Sequence, residues 1–272
     1  MTSYVLADRS LAQRLERTEA QANANFVEAR ARLSPDIGAE WIEVAGAYAM
    51  FDGIDSPCTQ TFGLGLFADA CDAGVDKIET FFRNHRAPVY HEISPLADKA
   101  LAPMLSSRGY EPFEFTSVMT LPLPGEASPS VDGRIRVRVI GPDEYDLFAE
   151  VAAAGWSELV EFAHLIADLF RVNAMRSDGV SFIAELEGRP VATGGLSIHN
   201  GVALFAGAST VPEARKQGAQ RALLDARLLY AAEAGCDLAM MCAEPGSASQ
   251  RNAERQGFRI AYTRIKWRLK AR

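Results

Sequence analysis

A short basic loop between a strand pattern and a helical pattern carries the clearest chemical signal in this sequence. The strand pattern stops at Pro212, and the helical pattern begins near Gln220. The loop and the first helical turn contain Arg215, Lys216 and Arg221. The first turn of a helix has unpaired N–H groups and the positive end of the helix dipole, and Gly218 lets a ligand approach the backbone closely. The pattern therefore favours a diphosphate-binding loop, with a solvated turn as the open alternative.

The residues around this loop resemble the coenzyme motif of the GNAT superfamily of N-acetyltransferases. The common features are a strand, a proline, Arg215-x-x-Gly218 and a helix that contains Leu223-Leu224. A strand, a helix, Gly257-Phe258 and another strand follow in the same order as in that superfamily, so the resemblance covers residues 134–272. Gln220 departs from the motif, which has Gly or Ala there. Its side chain either crowds a diphosphate or points outward.

The resemblance implies an N-acetyltransferase that moves the acetyl group of its co-substrate acetyl-CoA to a small-molecule amine by direct attack. Backbone groups at the end of the strand would pair with the pantetheine arm, as an added strand pairs with a sheet edge. The amides of residues 217–221 would bind the diphosphate, and two polar residues of the last helix would add contacts. The expected coenzyme-binding residues are Ser209, Thr210, Val211, Arg215, Lys216, Gln217, Gly218, Ala219, Gln220, Arg221, Ser249 and Asn252.

Residues for acid–base catalysis are less well defined. The family's usual acid is a Tyr in the last helix, where this chain has Ala253, and the strand 202–211 lacks the Glu that relatives often place there. The remaining candidate catalytic residues are Glu185, His199 and Tyr262, for each of which a structural role is the open alternative. These departures motivate a second hypothesis, a catalytically weak or inactive module that binds acyl-CoA and regulates.

Three aromatic residues fall on the predicted helices that cover the acceptor site in the GNAT fold. They are Trp156, Phe162 and Phe170. Aromatic residues at helical spacing either line a substrate pocket or belong to the core. No particular acceptor follows from them.

The elements that position these residues form two similar halves. A linker rich in Pro, Gly and Ser at 123–133 separates a first domain at 1–122 from a second at 134–272. Both halves end with a helix, a Gly stop, an aromatic residue and a strand, which indicates a duplicated domain. The predicted fold class is α/β (α+β): two tandem GNAT-like domains, each with a mixed, mainly antiparallel sheet flanked by helices.

Hydrophobic periodicity predicts the individual elements. In the first half, helices are expected at 11–33, 75–84 and 96–107, and strands at 41–51, 59–67, 88–93 and 113–121. In the second half, helices are expected at 142–154, 162–170, 220–234 and 247–256, and strands at 134–140, 180–186, 191–198, 202–211, 238–243 and 258–262, with a last strand to 269. Hairpin turns are expected at Glu187-Gly188 and Asn200-Gly201.

The first half keeps the order of elements but lacks an Arg-x-x-Gly motif. Its corresponding segment carries Asp69, Asp72 and Asp76 instead. Carboxylates at a helix start already use the dipole that would attract phosphate. We therefore expect a degenerate GNAT-like half that binds no coenzyme and walls the acceptor cleft.

Composition limits the remaining classes. A formal net charge of −7 argues against a general nucleic-acid binder. The apolar runs are too short for a membrane span, and the start of the sequence lacks a secretory signal, so we expect a cytoplasmic protein with no membrane partner, as a monomer or homodimer. The four cysteines and four histidines show no metal-ligand spacing, so no metal is expected.

Overall fold

The computed structural model describes residues 5–123, 133–156 and 163–270. They form two compact units, one of Met1–Leu121 with Cys242–Arg272 and one of Pro122–Met241. The segment Cys242–Arg272 therefore packs with the N-terminal half of the chain. The predicted bounds 1–122 and 134–272 divide the chain by sequence likeness, whereas these units divide it by packing, and the bounds stay a prediction.

The first unit contains a mixed sheet in the order β1-β2-β3-β4-β11-β5. Its strands are β1 (Glu40–Val44), β2 (Ala47–Phe51), β3 (Gln60–Phe62), β4 (Tyr90–Ile93), β5 (Tyr110–Pro122) and β11 (Arg259–Leu269). Its helices are α1 (Arg9–Leu33), α2 (Asp72–Asn84), α3 (Leu101–Ser107) and α7 (Ala248–Arg255). β3 and β4 are parallel, and the other described pairs within this sheet are antiparallel.

Helices cover both faces of this sheet. α1 begins where the Asp8 carboxylate accepts a hydrogen bond from the Leu11 amide (2.8 Å), a standard N-cap. The small residues Ala20 and Ala24 bring α1 close to Met50 and Phe62. α2 and α3 pack on another apolar cluster, whose members include Val75, Ile78, Phe82, Leu101, Leu105 and Trp267.

Three strand predictions in this unit are wrong in extent. The strand expected at 41–51 is the β1–β2 hairpin, because Ala45 and Gly46 have positive φ (52° and 80°) and form a two-residue turn. The strand expected at 59–67 ends at Phe62, since Gly63 and Gly65 turn the chain. The two strands expected after residue 258 are one strand, β11, with an irregularity between Ile260 and Tyr262.

The second unit contains a sheet in the order β6-β7-β8-β9-β10. Its strands are β6 (Ile135–Val139), β7 (Gly179–Leu186), β8 (Arg189–His199), β9 (Val202–Thr210) and β10 (Leu238–Ala243), whose last two residues belong to the first unit. Its helices are α4 (Tyr145–Ala154), α5 (Ala163–Ala174) and α6 (Ala219–Glu233). Only β9 and β10 run parallel among its described strand pairs.

Both hairpin turns predicted for the second unit are confirmed. Glu187-Gly188 joins β7 to β8, and Asn200-Gly201 joins β8 to β9; all four residues have positive φ. Such turns match the twist of the flanking strands. The predicted mixed, mainly antiparallel sheet with flanking helices is confirmed in each unit. No helix in the described part of the chain is both long enough and apolar enough to cross a membrane.

A buried polar cluster lies between α1 and the sheet of the first unit. Arg264 is buried and donates to Glu16 Oε2 (3.3 Å) and Glu19 Oε2 (2.7 Å), while its Nε lies 3.4 Å from Glu92 Oε2. The Tyr262 hydroxyl donates to Glu16 Oε1 (2.8 Å). Burial raises the pKa of Glu16 to about 7, and Arg264 opposes the rise. The cluster therefore keeps a proton on Glu16 below neutral pH.

Titration of Glu16 should reduce stability as pH rises. Its folded pKa lies above the ordinary value of 4.5, so its contribution is complete below about 4.5 and is lost as pH rises through about 7. Glu16→Gln mimics the protonated form, so its stability relative to the wild type should grow by ~1.4 kcal/mol per pH unit across that window. Urea unfolding at pH 5, 6, 7 and 8 measures the difference.

Glu28→Gln is the matched control, because Glu28 is an exposed carboxylate of the same helix. It removes a carboxylate from α1 outside the buried cluster. Parallel stability curves for the wild type and Glu16→Gln would contradict the assignment of the proton to Glu16.

Candidate functional site

The end of β9 separates from its parallel neighbour. β9 pairs with β10 from Val202 to Phe205, opposite Leu238 to Met241, and then continues alone on that side to Thr210. The two strands therefore separate after the Phe205–Met241 pair. After Phe205, no described strand of this unit pairs with that edge of β9, so its backbone groups are open to a ligand.

An extra residue in β9 forms a bulge just after the point where β9 leaves β10. Ser209 faces Thr193 and Ala206 faces Gly195, so three steps along β9 match two along β8. Gly207 lies within the resulting bulge at a φ of 64°, a conformation that favours glycine. A Cβ at Gly207 would also lie 3.1 Å from the Phe170 ring of α5. A bulge of this kind re-aims the backbone beyond it.

The loop after β9 leads into α6 through two residues with positive φ. A 3-10 turn at Pro212–Ala214 is followed by Lys216 (φ 64°) and by Gly218 (φ 92°), which is the N-cap of α6. No described side chain caps the first amides of α6. The exposed cations at this end are Arg215, Lys216 and Arg221. The predicted combination of open amides, helix dipole and positive charge is thus present in the geometry.

Gln220 takes an orientation that the sequence did not indicate. Its Nε2 donates to the Ser209 carbonyl and to the Thr210 hydroxyl, each at 2.7 Å. The side chain therefore points back to the end of β9, neither outward nor across the start of α6. It leaves the helix amides open but uses the Ser209 carbonyl, one of the backbone groups expected to pair with pantetheine.

Helix α4 supports the end of β9. The buried Ser209 hydroxyl donates to the Ala152 carbonyl (3.1 Å) and lies 3.0 Å from Thr193 Oγ1. A Cβ at Gly155 would lie 2.7 Å from Ser209 Cβ, and the Gly155 carbonyl accepts from Arg215 (3.0 Å). Sequence reasoning missed Gly155 and Thr193. A glycine at the end of a helical pattern was the available signal, but it reads as an ordinary helix stop.

The three candidate catalytic residues lie in different places. The Glu185 carboxylate accepts from Arg138 Nε (2.8 Å), and Arg138 is also held by both oxygens of Glu144. His199 pairs with Val202 at the start of β9, roughly 26 Å of strand from Thr210 at ~3.3 Å per residue. Their catalytic roles stay predictions.

The remaining expected site residues have their own environments. Tyr262 belongs to the first unit, where its hydroxyl bonds to Glu16 and burial raises its pKa well above the usual value. Ser249 and Asn252 lie on α7 of the first unit, and Asn252 Oδ1 accepts from Arg255 (3.4 Å). Their coenzyme contacts also stay predictions.

The three aromatic candidates also lie in different environments. Trp156 is exposed. Phe170 packs with Phe148 in the core of the second unit and touches the β9 bulge. It therefore supports the bulge from the side of α5. Phe162 lies outside the described residues. Within those residues, no three His, Cys, Asp or Glu side chains are grouped to hold a metal ion.

Residues 145–258 match the acetyltransferase (GNAT) family model. This segment is a GNAT domain. It contains the β9 end, the basic loop and α6, so the family match covers the site that the geometry defines. No curated protein matches the chain.

Solved structures share the fold of the whole chain. A GCN5-related N-acetyltransferase from Kribbella flavida has a TM-score of 0.63 at 19% identity, over 93% of this chain and 96% of its own. A tandem GNAT protein from the clavulanic acid biosynthesis pathway has a TM-score of 0.59 at 14% identity, over 83% and 79%. A GCN5-related N-acetyltransferase from Sphaerobacter thermophilus has a TM-score of 0.54 at 18% identity, over 77% and 71%. The predicted tandem GNAT fold is confirmed.

Gly155→Ala should destabilise the GNAT domain. The added methyl group would meet Ser209 Cβ and Oγ at 2.7 Å and the Thr210 amide nitrogen at 2.9 Å. Overpacking of this kind costs about 1–3 kcal/mol. Chemical unfolding measures the stability loss against the control Gly133→Ala, whose new Cβ would have no atom of the described residues within 4 Å. Equal stabilities would show that α4 can move away from β9 without cost.

Proposed function

We propose that this protein is an acetyl-CoA-dependent N-acetyltransferase that acetylates the amine of a small molecule by direct attack. The observation that carries the proposal is the start of α6. Gly218 turns the chain with its left-handed φ, the first amides of α6 have no described side-chain cap, and exposed cations flank them. A diphosphate satisfies open amides and positive charge together.

The residues present fit a coenzyme with a diphosphate and an amide-containing arm. The edge of β9 beyond Phe205 has the open backbone groups that such an arm needs. The Gln220 side chain does not cover the start of α6, because it is held at Ser209 and Thr210. When bound, acetyl-CoA supplies the acetyl group as an activated thioester.

The residues of the chain bind the coenzyme and orient its acyl end. Amides from Gln217 to Arg221 and the side chains of Arg215 and Lys216 hold the diphosphate. Backbone groups from Ser209 to Val211 hold the arm. Phe170 and Phe148 keep the bulge packed on its helix side, so that the edge of β9 stays fixed. An amine that reaches the point where β9 leaves β10 meets the acyl end of the arm.

Arg215→Glu should abolish stabilisation by acetyl-CoA. A ligand at about 100 times its dissociation constant stabilises by ~2.7 kcal/mol, which a thermal shift detects. Charge reversal at Arg215 adds repulsion of the diphosphate, whereas Arg189→Glu, at the exposed start of β8, should retain the wild-type shift. Melting of each variant without ligand separates this effect from loss of the Arg215 bond to Gly155. A wild-type protein with no shift at millimolar acetyl-CoA would refute the proposal.

Gln220→Ala should tighten acetyl-CoA binding several-fold. The substitution releases the Ser209 carbonyl and the Thr210 hydroxyl, so the coenzyme no longer competes with hydrogen bonds worth ~1 kcal/mol each. Calorimetric titration of both proteins measures the dissociation constants. Weaker binding by Gln220→Ala would show instead that the Gln220 amide is a ligand to the coenzyme.

A second function is a module that binds acyl-CoA and regulates without efficient catalysis. The favouring observation is that Glu185 is paired with Arg138 and His199 lies at the opposite end of β9. Thiol release with a panel of amines separates the two functions. Stabilisation by acetyl-CoA without turnover on any amine would favour the regulatory module.

A further inference from the structure

A buried cation lies beneath the β9 bulge. Arg227, in the middle of α6, is only 3% exposed, and no carboxylate in the described ranges pairs with it. Its Nε donates to the Leu223 carbonyl (3.2 Å) and its Nη1 donates to the Gly195 carbonyl (3.1 Å). The guanidinium carbon also lies 5.1 Å from the centre of the Phe205 ring.

Burial of this charge is costly for folding. An ion transferred from water without a counter-ion loses its hydration, and replacement of such groups by apolar side chains is often neutral or stabilising. Burial lowers the pKa of Arg227 to about 10, so the side chain remains charged at neutral pH. Proteins depart from such rules mainly at functional or strained sites, so this side chain is a candidate for a functional role.

Strand β8 has a glycine, Gly194, where it faces the Arg227 guanidinium. A Cβ at Gly194 would lie 2.9 Å from the guanidinium carbon and 3.0 Å from Nη1. A larger residue at this position of β8 would displace the side chain. The guanidinium and the small residue thus form one fitted contact between α6 and β8.

The contact lies at the point where the β8–β9 ladder changes register. Gly195 is paired with Ala206, the first residue of β9 after the last β10 pair, and the extra residue follows immediately. A bulge disrupts the regular hydrogen bonds of its ladder, so a donor from outside the sheet can fix the strands there. Arg227 supplies such a donor to β8, and Phe205 packs on its guanidinium.

We propose that Arg227 is a positioning residue for the coenzyme arm. It holds the β8 side of the bulge, and the bulge sets the register of the open β9 edge from Ala206 to Thr210. This inference rests on the proposed use of that edge by the pantetheine arm of acetyl-CoA. The diphosphate loop, which depends on Gly218 and Arg215, does not require it.

Binding of two ligands distinguishes an effect on the coenzyme arm from an effect on the diphosphate. ADP carries the diphosphate without pantetheine, whereas acetyl-CoA carries both. Arg227→Met should raise the dissociation constant of acetyl-CoA about tenfold, as for one or two weakened hydrogen bonds, and leave that of ADP unchanged within about twofold. Its melting temperature without ligand should equal or exceed that of the wild type. Arg227→Lys, which keeps a charged donor, should recover part of the loss.

Equal weakening of both ligands would show a general structural role and overturn the inference, as would unchanged binding of acetyl-CoA. If Arg227→Met does not fold, Gly194→Ala gives the same test, because its methyl group displaces the guanidinium while the charge remains. Failure of the proposed function is distinguishable, since the wild type itself would then bind no acetyl-CoA.

Discussion

Strand β9 pairs with two neighbouring strands, β8 and β10, that separate from each other along its length. It stays paired with β8 along almost its whole length but leaves the parallel β10 after Phe205. One extra residue, at the Gly207 bulge, reconciles the two. The open edge, the basic loop and the uncapped start of α6 all follow in the next residues of the chain. The Ser209 contact with α4 and the packing of Phe170 against the bulge stabilise this departure from regular pairing.

The same constraint explains why several unfavourable groups gather here. Lys216 has a positive φ, the first amides of α6 lack a described side-chain cap, and Arg227 is a buried charge without a carboxylate in the described part of the chain. Each disfavours the folded state by itself. By contrast, the β8–β9 hairpin turns at Asn200-Gly201, the residues that its geometry favours. Departures from local consistency that concentrate at one place are the pattern expected of a functional site.

Sequence reasoning succeeded where the determinants are local. The turns at Glu187-Gly188 and Asn200-Gly201 and the start of α6 after Gly218 each depend on a few adjacent residues. The β1–β2 hairpin was missed because residues 41–51 were read as one strand that runs through its Ala45-Gly46 turn. Gln220 and Arg227 could not be placed, since each donates to a backbone carbonyl of a distant strand, and such a carbonyl has no side-chain signature in the sequence.

The N-terminal half shows how an analogous helix start loses its attraction for anions. Three carboxylates of α2, those of Asp72 in its first turn and of Asp76 and Glu79 further along it, are all held by Arg108. The positive charge of Arg108 is thus neutralised by carboxylates of the helix itself, and Asp72 lies at the positive end of the helix dipole. At α6 the charges are placed differently: the buried Asp225 lies 3.8 Å from Arg221, while Arg215 and Lys216 are exposed. Charge placement therefore distinguishes the two helix starts, and it is the reason for expecting the coenzyme site in the second half.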